Sequence, residues 1–518
     1  MKRILALVLM MAMCLGMFVL VGCDSGSGKH EASTQRPADS ENETQVGEDT
    51  DNGGTSTQPK PLEYDVVAYD GSAVTITFSH TMNATYRGVL DQYIAKFNEM
   101  YPNITVEHAQ IGGYDEVRDQ IKTELTAGNQ PNIAYCYPDH VALYNVAKAV
   151  VPLNSFIDST IKVTDAQGNE TVLGLTEEQV NDFIPGFYKE GAAFDNAGTM
   201  YTLPMSKSTE ALYYNKTAFD NWAKKYAETG DEKYNIKVPT TWDEMEEVCK
   251  KIKALDPKSI PLGYDSEANW FITMTEQYKS GYTSATGNHY LFDNKTNREF
   301  VERFARWHSE GLMTTQELNG GYTSSLFVNQ DPTQPKSYMS IGSSAGATHQ
   351  RPDKVDGEYP FEVGITSIPQ VNPNDPKVIS QGPSLVLLDT GDTQENIAAW
   401  LLMRFLTTDV ELQAEFANAS GYVPVLKSVT EVPTFKAKLD NANGGDNIAY
   451  LSLKVCLAQD QYYYTSPAFN GSSTARDQVG ALMKYCMENY TTYKNAGNVD
   501  KLIDEAFKNA INECESQL

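Results

Sequence analysis

Residues 74–137 read VTITFSHTMNATYRGVLDQYIAKFNEMYPNITVEHAQIGGYDEVRDQIKTELTAGNQPNIAYCY. Val74, Ile76 and Phe78 alternate with Thr75, Thr77 and Ser79, the period of a half-buried strand. Tyr86, Val89, Leu90, Tyr93, Ile94 and Phe97 then fall on one face of a helix, which Pro102-Asn103 ends. Ile104 and Val106 restart a strand. Tyr114, Val117, Ile121 and Leu125 mark a second amphipathic helix, stopped by Gly128 and Pro131, before the apolar strand Ile133–Tyr137. Strand, helix, strand, helix, strand predicts a doubly wound α/β fold with parallel pairing and right-handed crossovers. Ligands of such sheets collect beyond the carboxyl ends of the strands. Ser79-His80-Thr81, Gly112-Gly113-Tyr114 and Tyr137-Pro138-Asp139 are therefore candidate site segments, with His80, Tyr114 and Asp139 as their functional side chains.

Downstream the helical signals continue. Thr241-Trp242-Asp243-Glu244 is a capping box ahead of an inward stripe of Met245, Val248, Cys249 and Ile252. Ala398, Leu401, Leu402 and Phe405 form another stripe, Thr408-Asp409-Val410-Glu411 reads as a second capping box, and Gly421 suits the end of that helix. The polar stretch 159–178 predicts an insertion or hairpin. No internal repeat of fixed period is present. At 518 residues the chain exceeds one ordinary core, so two lobes are expected.

Composition narrows the partners. Hydrophobic residues make up 41% and charged residues 21%, which fits a globular chain and excludes bulk disorder. Acids outnumber bases 68 to 41, a net charge of −27, so a polyanion such as nucleic acid is repelled. Met1-Lys2-Arg3 followed by the apolar run Ile4–Val21 has the form of a signal peptide, 1–22. Leu20-Val21-Gly22-Cys23 resembles the lipobox of bacterial lipoproteins, which implies a lipid on Cys23 and a mature chain on the outer face of the cytoplasmic membrane. Residues 24–62 hold no aromatic residue and few aliphatic ones, the composition of a disordered tether.

Leu203-Pro204-Met205-Ser206-Lys207-Ser208-Thr209-Glu210-Ala211-Leu212-Tyr213-Tyr214-Asn215-Lys216 resembles the crossing strand of family 1 extracellular solute-binding proteins of ABC importers. Pro239–Glu244, Gly382–Leu387 as a returning strand, and Trp400–Pro424 with its Gly-Tyr-Val-Pro ending follow in the order expected of that family, covering nearly all of 63–518. The resemblance implies a two-lobed periplasmic-binding-protein-like fold of type II, each lobe a doubly wound sheet, joined by crossing strands. It places residues 63–206 plus about 378–425 in one lobe and 207–377 plus about 426–518 in the other. It also implies a monomer that closes on a small solute and hands it to membrane permease subunits, touching the membrane through its lipid only, with no enzymatic activity and no cofactor.

Enzymatic readings are weak. Gly342-Ser343-Ser344-Ala345-Gly346 fits the nucleophile-elbow pattern, but that triad runs Ser, acid, His, and the only later histidine, His349, follows with no acid between. Carboxylate pairs of a glycosidase carry no signal among 68 acids. No metal-binding motif appears. Besides Cys14 and Cys23, the odd set Cys136, Cys249, Cys456, Cys486 and Cys514 reads as buried hydrophobes, with one bridge left open.

A sugar wants flat aromatic faces and a ring of polar groups. Trp270, Tyr114, Tyr137, Tyr422 and Tyr462-Tyr463-Tyr464 are the aromatic candidates, and Asp139 and Glu210 the acceptors. The family resemblance implies a stacking role for Trp270 and a cleft-lining Gly/Ser turn at Ser343-Ser344. Ser208-Thr209, Trp270, Ser343-Ser344, Gly382, Tyr422 and Arg476 also resemble the cleft positions of glycerol-3-phosphate binders, in which a late arginine holds the phosphate. The acidic residue of that pattern's early strand is matched only by the shifted Asp139. Carbohydrate is the expected solute and glycerol phosphate the alternative.

Overall fold

The computed structural model describes residues 59–517. The signal peptide, Cys23 and the tether up to residue 58 lie outside the described residues. From Leu62 the chain is tied to the body, because the Leu62 N–H donates to Thr199 Oγ1 and Tyr64 stacks on Phe156 at 5.2 Å.

The opening segment folds as its periodicity predicts. Strand β1 (Val74–His80) leads to helix α1 (Ala84–Met100), β2 (Ile104–Gln110), α2 (Tyr114–Ala127), β3 (Ile133–Cys136) and α3 (Pro138–Asn145). Asn83 caps α1 by accepting the Thr85 and Tyr86 N–H groups, and Leu90, Tyr93, Ile94 and Phe97 are its buried face. Residues 162–164 and 170–172 pair as the hairpin β4–β5 inside the predicted insertion. Then come β6 (Thr202–Pro204), β7 (Glu210–Asn215), β8 (Leu262–Tyr264), β9 (Met313–Thr315), β10 (Met339–Ser343), β11 (Val363–Ser367), β12 (Val378–Ile379), β13 (Ser384–Leu387) and β14 (Tyr463–Tyr464).

Two five-stranded sheets carry the two lobes. The first has the order β2-β1-β3-β13-β6, with β1 parallel to β2 and β3, and β13 antiparallel to β3 and β6. The second has the order β11-β7-β10-β8-β9, parallel from β10 to β9 and antiparallel on the β7 side. Helices α4 (Trp242–Leu255) and α5 (Glu267–Tyr278) pack on the second sheet, and α6 (Thr393–Thr408) and α7 (Val410–Ser420) on the first. Helices α8 (Ser472–Asn495) and α9 (Val499–Ser516) complete the second core. Thr241 and Glu244 form the expected box at α4. At α7 the cap is Asp409, not Thr408, which still belongs to α6; the Asp409 carboxylate accepts the Leu412 N–H. Gly421 closes α7 at φ 73°, a left-handed turn that costs glycine little.

The lobes meet where the chain crosses. Residues 205–209 carry it from β6 to β7, and 380–383 bring it back to β13. Ser208 and Gln381 exchange both backbone hydrogen bonds, at 2.7 and 2.9 Å, and Lys207 does the same with Val423. The Lys207 ammonium is fully buried there. It donates to the Glu190 carboxylate, to Gly382 O at 3.0 Å and to Ser384 Oγ at 2.9 Å, so its three protons have three acceptors. Gly382 sits at φ 100°, and a Cβ there would come within 2.6 Å of Ser206 O. Its glycine identity follows from this close crossing. The five cysteines 136, 249, 456, 486 and 514 are free and buried, so the open bridge is absent.

Candidate functional site

Between the sheets lies a cavity of about 560 Å³. Its first-lobe wall is aromatic. Tyr114, at the start of α2, stacks on Tyr137 at 4.3 Å and shares a 3.0 Å hydrogen bond with the Tyr422 hydroxyl. Gly112 at φ 52° and the extended Gly113 turn the chain so that Tyr114 heads the helix. Burial holds the hydroxyls of Tyr114 and Tyr422 protonated well past neutral pH.

The opposite wall is polar. Glu210 begins β7 and is buried, its carboxylate accepting Tyr264 Oη at 2.5 Å and Asn269 Nδ2 at 3.0 Å. Burial raises its pKa to about 7, against the pull of those donors and of the Arg476 charge. Asn269 also donates to Gln381 Oε1 at 2.6 Å, and its own carbonyl accepts from the Arg476 guanidinium. One network thus links α8, α5, β7 and the crossing. Asp265 follows β8; it accepts the N–H and hydroxyl of Thr323, both at 2.8 Å, and burial raises its pKa. Ser343, His349 and the 66% exposed Tyr322 also line the cavity.

Of the residues singled out from the sequence, Tyr114, Tyr137, Ser208, Glu210, Ser343, Tyr422 and Arg476 line this cavity. Trp270 does not. It is wholly buried on the inner side of α5, stacked on Tyr264 at 4.6 Å and 4.0 Å from Phe304, so its face is occupied by protein. Ser344 and Thr209 are also buried: Ser344 N donates to Thr209 O at 2.8 Å, and Thr209 N to Ser344 Oγ at 3.3 Å, a clasp behind the wall. Asp139 and Gly382 line a smaller neighbouring chamber. His80 is buried within the first lobe. It accepts the Met82 N–H at Nδ1 and meets His108 at 2.9 Å, and His108 in turn meets Asp91 at 2.8 Å. These bonds commit both ring nitrogens of His80 to protein partners.

Sequence reasoning missed Asp265, Gln381 and Tyr322. Two signals were present. Asp265 directly follows the carboxyl end of a strand. Gly320-Gly321-Tyr322 repeats the tripeptide Gly112-Gly113-Tyr114, and the two tyrosines reach the cavity from opposite lobes. No group of three or more potential metal ligands occurs among the described residues.

Residues 92–443 match the family described as bacterial extracellular solute-binding protein. The chain belongs to that family. It is accordingly the solute-binding component of an ABC importer, acting in an extracellular or periplasmic compartment. The sn-glycerol-3-phosphate-binding periplasmic protein UgpB of Salmonella typhimurium is 24% identical over 395 residues, covering 73% of this chain and 81% of its own. Among solved structures, UgpB from Mycobacterium tuberculosis in complex with glycerophosphocholine superposes with a TM-score of 0.62 at 14% identity, covering 86% of this chain and 100% of that one. The cyclic alpha-maltosyl-1,6-maltose binding protein from Arthrobacter globiformis gives 0.60 at 17% identity, with coverages of 86% and 100%. These likenesses at low identity establish the two-lobed type II fold. The relatives are binding proteins, and no helix of the described residues is long and apolar enough to cross a membrane.

Proposed function

We propose that this protein captures a carbohydrate, a sugar or short oligosaccharide, between its lobes and delivers it to the permease without catalysing a reaction. One observation carries the reading: a wall of three tyrosines faces a wall of carboxylates and amides that holds a single guanidinium. The rings supply apolar faces for the C–H side of a pyranose, and Glu210, Asp265 and Gln381 supply acceptors for its hydroxyls. Asp265 and the partly ionised Glu210 share the cavity with one guanidinium, which leaves no surplus positive charge to hold an anion. On this reading Arg476, Glu210, Tyr114, Tyr422 and Ser343 contact the solute, while Trp270 positions Glu210 through Tyr264. A lipid on Cys23 holds a monomer to the outer face of the cytoplasmic membrane.

Glycerol phosphate is the second reading, favoured by the names of the curated relatives and by Arg476 in the cavity. Calorimetry against a panel of oligosaccharides and glycerol 3-phosphate, at low and high salt, separates them. A carbohydrate binds with little salt dependence, whereas phosphate affinity falls as salt rises. Binding of glycerol 3-phosphate alone overturns the carbohydrate reading.

A further inference from the structure

Behind the main cavity lies a chamber of about 70 Å³ that shares Tyr137, Gln381 and Arg476 with it. A water needs roughly 10–15 Å³ of such space, so the chamber has room for about five waters, comparable to a three-carbon polyol. Two of its lining side chains are more than nine-tenths buried and carry hydroxyls with no partner in the protein: Tyr282 Oη and Ser380 Oγ. A buried hydroxyl left unpaired is costly, and two beside one small space mark a place built for polar atoms. Asp139 adds a carboxylate whose side-chain oxygens meet only the His140 N–H at 3.1 Å and, at 4.0 Å, the His140 ring. Glu190 also lines the chamber, but its carboxylate is engaged by Lys207.

We infer that this chamber is a second subsite, which takes a small uncharged polyol group appended to the sugar in the main cavity, such as a glyceryl unit. The inference rests on the carbohydrate reading and sharpens it. The hydrogen-bond inventory selects the class. Asp139 only accepts, Arg476 only donates, and Tyr282 and Ser380 do either, so the occupant must donate and accept at neighbouring atoms, as vicinal hydroxyls do. A dianionic phosphate offers Asp139 no proton and adds charge beside it. An ammonium offers Arg476 no acceptor. Tyr137, Gln381 and Arg476 form the boundary that the chamber shares with the sugar's cavity.

The test titrates the full-length protein with methyl glycosides and the matching glyceryl glycosides of a panel of hexoses and disaccharides. The glyceryl member of a binding pair is expected to bind about tenfold tighter, the worth of one or two net hydrogen bonds. Tyr282→Phe and Ser380→Ala, which remove one oxygen each, are each expected to reduce that ratio about two- to fivefold. Equal affinities within every binding pair, or a ratio that survives both substitutions, overturns the subsite while leaving the carbohydrate reading intact. Failure of every glycoside, with glycerol 3-phosphate binding in a salt-sensitive way, overturns the carbohydrate reading and the subsite with it.

Discussion

Lys207→Met removes the ammonium from the crossing between the lobes and leaves Glu190 behind. In the native protein that carboxylate is buried, and burial raises its pKa while Lys207 opposes the rise. Without the lysine only the Ser384 hydroxyl, at 3.4 Å, opposes it. Stranding one member of a buried ion pair costs about 3–5 kcal/mol, because the remaining charge keeps its desolvation penalty and loses its partner. The carbonyl of Gly382 and the hydroxyl of Ser384 lose a donor as well. Replacing both charges, as in Lys207→Met with Glu190→Leu, removes the penalty along with the attraction, so the double variant should lie within about 2 kcal/mol of the native protein. The dependence on pH has a definite sign. In Lys207→Met the folded pKa of Glu190 lies above its unfolded value, so protonation favours the folded state. The variant's stability is retained below the unfolded pKa and is lost as pH rises through the folded one. Urea denaturation followed by circular dichroism at about pH 5 and about pH 8 reads all three quantities. A single variant that loses less than about 1 kcal/mol, or a double variant as unstable as the single one, refutes the reasoning.

Three further outcomes are expected. Arg476→Ala should weaken solute binding by about 1.5–3 kcal/mol, with Arg476→Lys nearly as weak because a point charge cannot reproduce the guanidinium fork; calorimetry showing native affinity in the alanine variant removes Arg476 from the site. His80, held neutral by burial, by the His108 and Arg87 charges and against the pull of Asp91, has its pKa lowered to about 4. Its contribution is complete above pH ~6.5 and is lost as pH falls through about 4, roughly 2–4 kcal/mol in all; a His80→Gln variant whose urea midpoint falls with acid as steeply as the native one contradicts this. Trp270→Ala should cost about 3–5 kcal/mol of stability as a core truncation. Because Trp242, Trp270, Trp307 and Trp400 are fully buried, and the half-buried Trp222 packs against Phe219 and Tyr338 outside the cavity lining, tryptophan emission should change little on ligand binding; a large emission shift at saturation would show a ring reaching the solute.

The first sheet was legible because its signals are local. Val74 to Phe78 alternate within one strand and Tyr86 to Phe97 share one helical face, and neither needs a distant residue to be interpreted. Asp409 displaced Thr408 as a cap because two helices compete for the junction, and a one-residue shift lies within what local patterns resolve. The cavity was legible only in part. Tyr114 and Asp139 both lie beyond carboxyl ends of strands, yet one reaches the main cavity and the other the chamber behind it, and that choice depends on where α8 of the second lobe packs. Trp270 shows the same limit: its spacing along α5 fits the inner side as well as the outer, and the aromatic partners Tyr264 and Phe304 decide for the core. Glu210 was legible as a candidate acceptor, but its burial was not, because Tyr264 and Asn269 reach it from 54 and 59 residues away.

The site draws Tyr114 from early in the chain and Arg476 from late in it, with strands of both sheets interleaved between them. During synthesis or export Tyr114 and Tyr137 therefore emerge hundreds of residues before the guanidinium that faces them, and Tyr422 only shortly before it. A partly emerged chain holds half a cavity and no network joining α8 to the crossing. Solute capture becomes available only when the late helices dock.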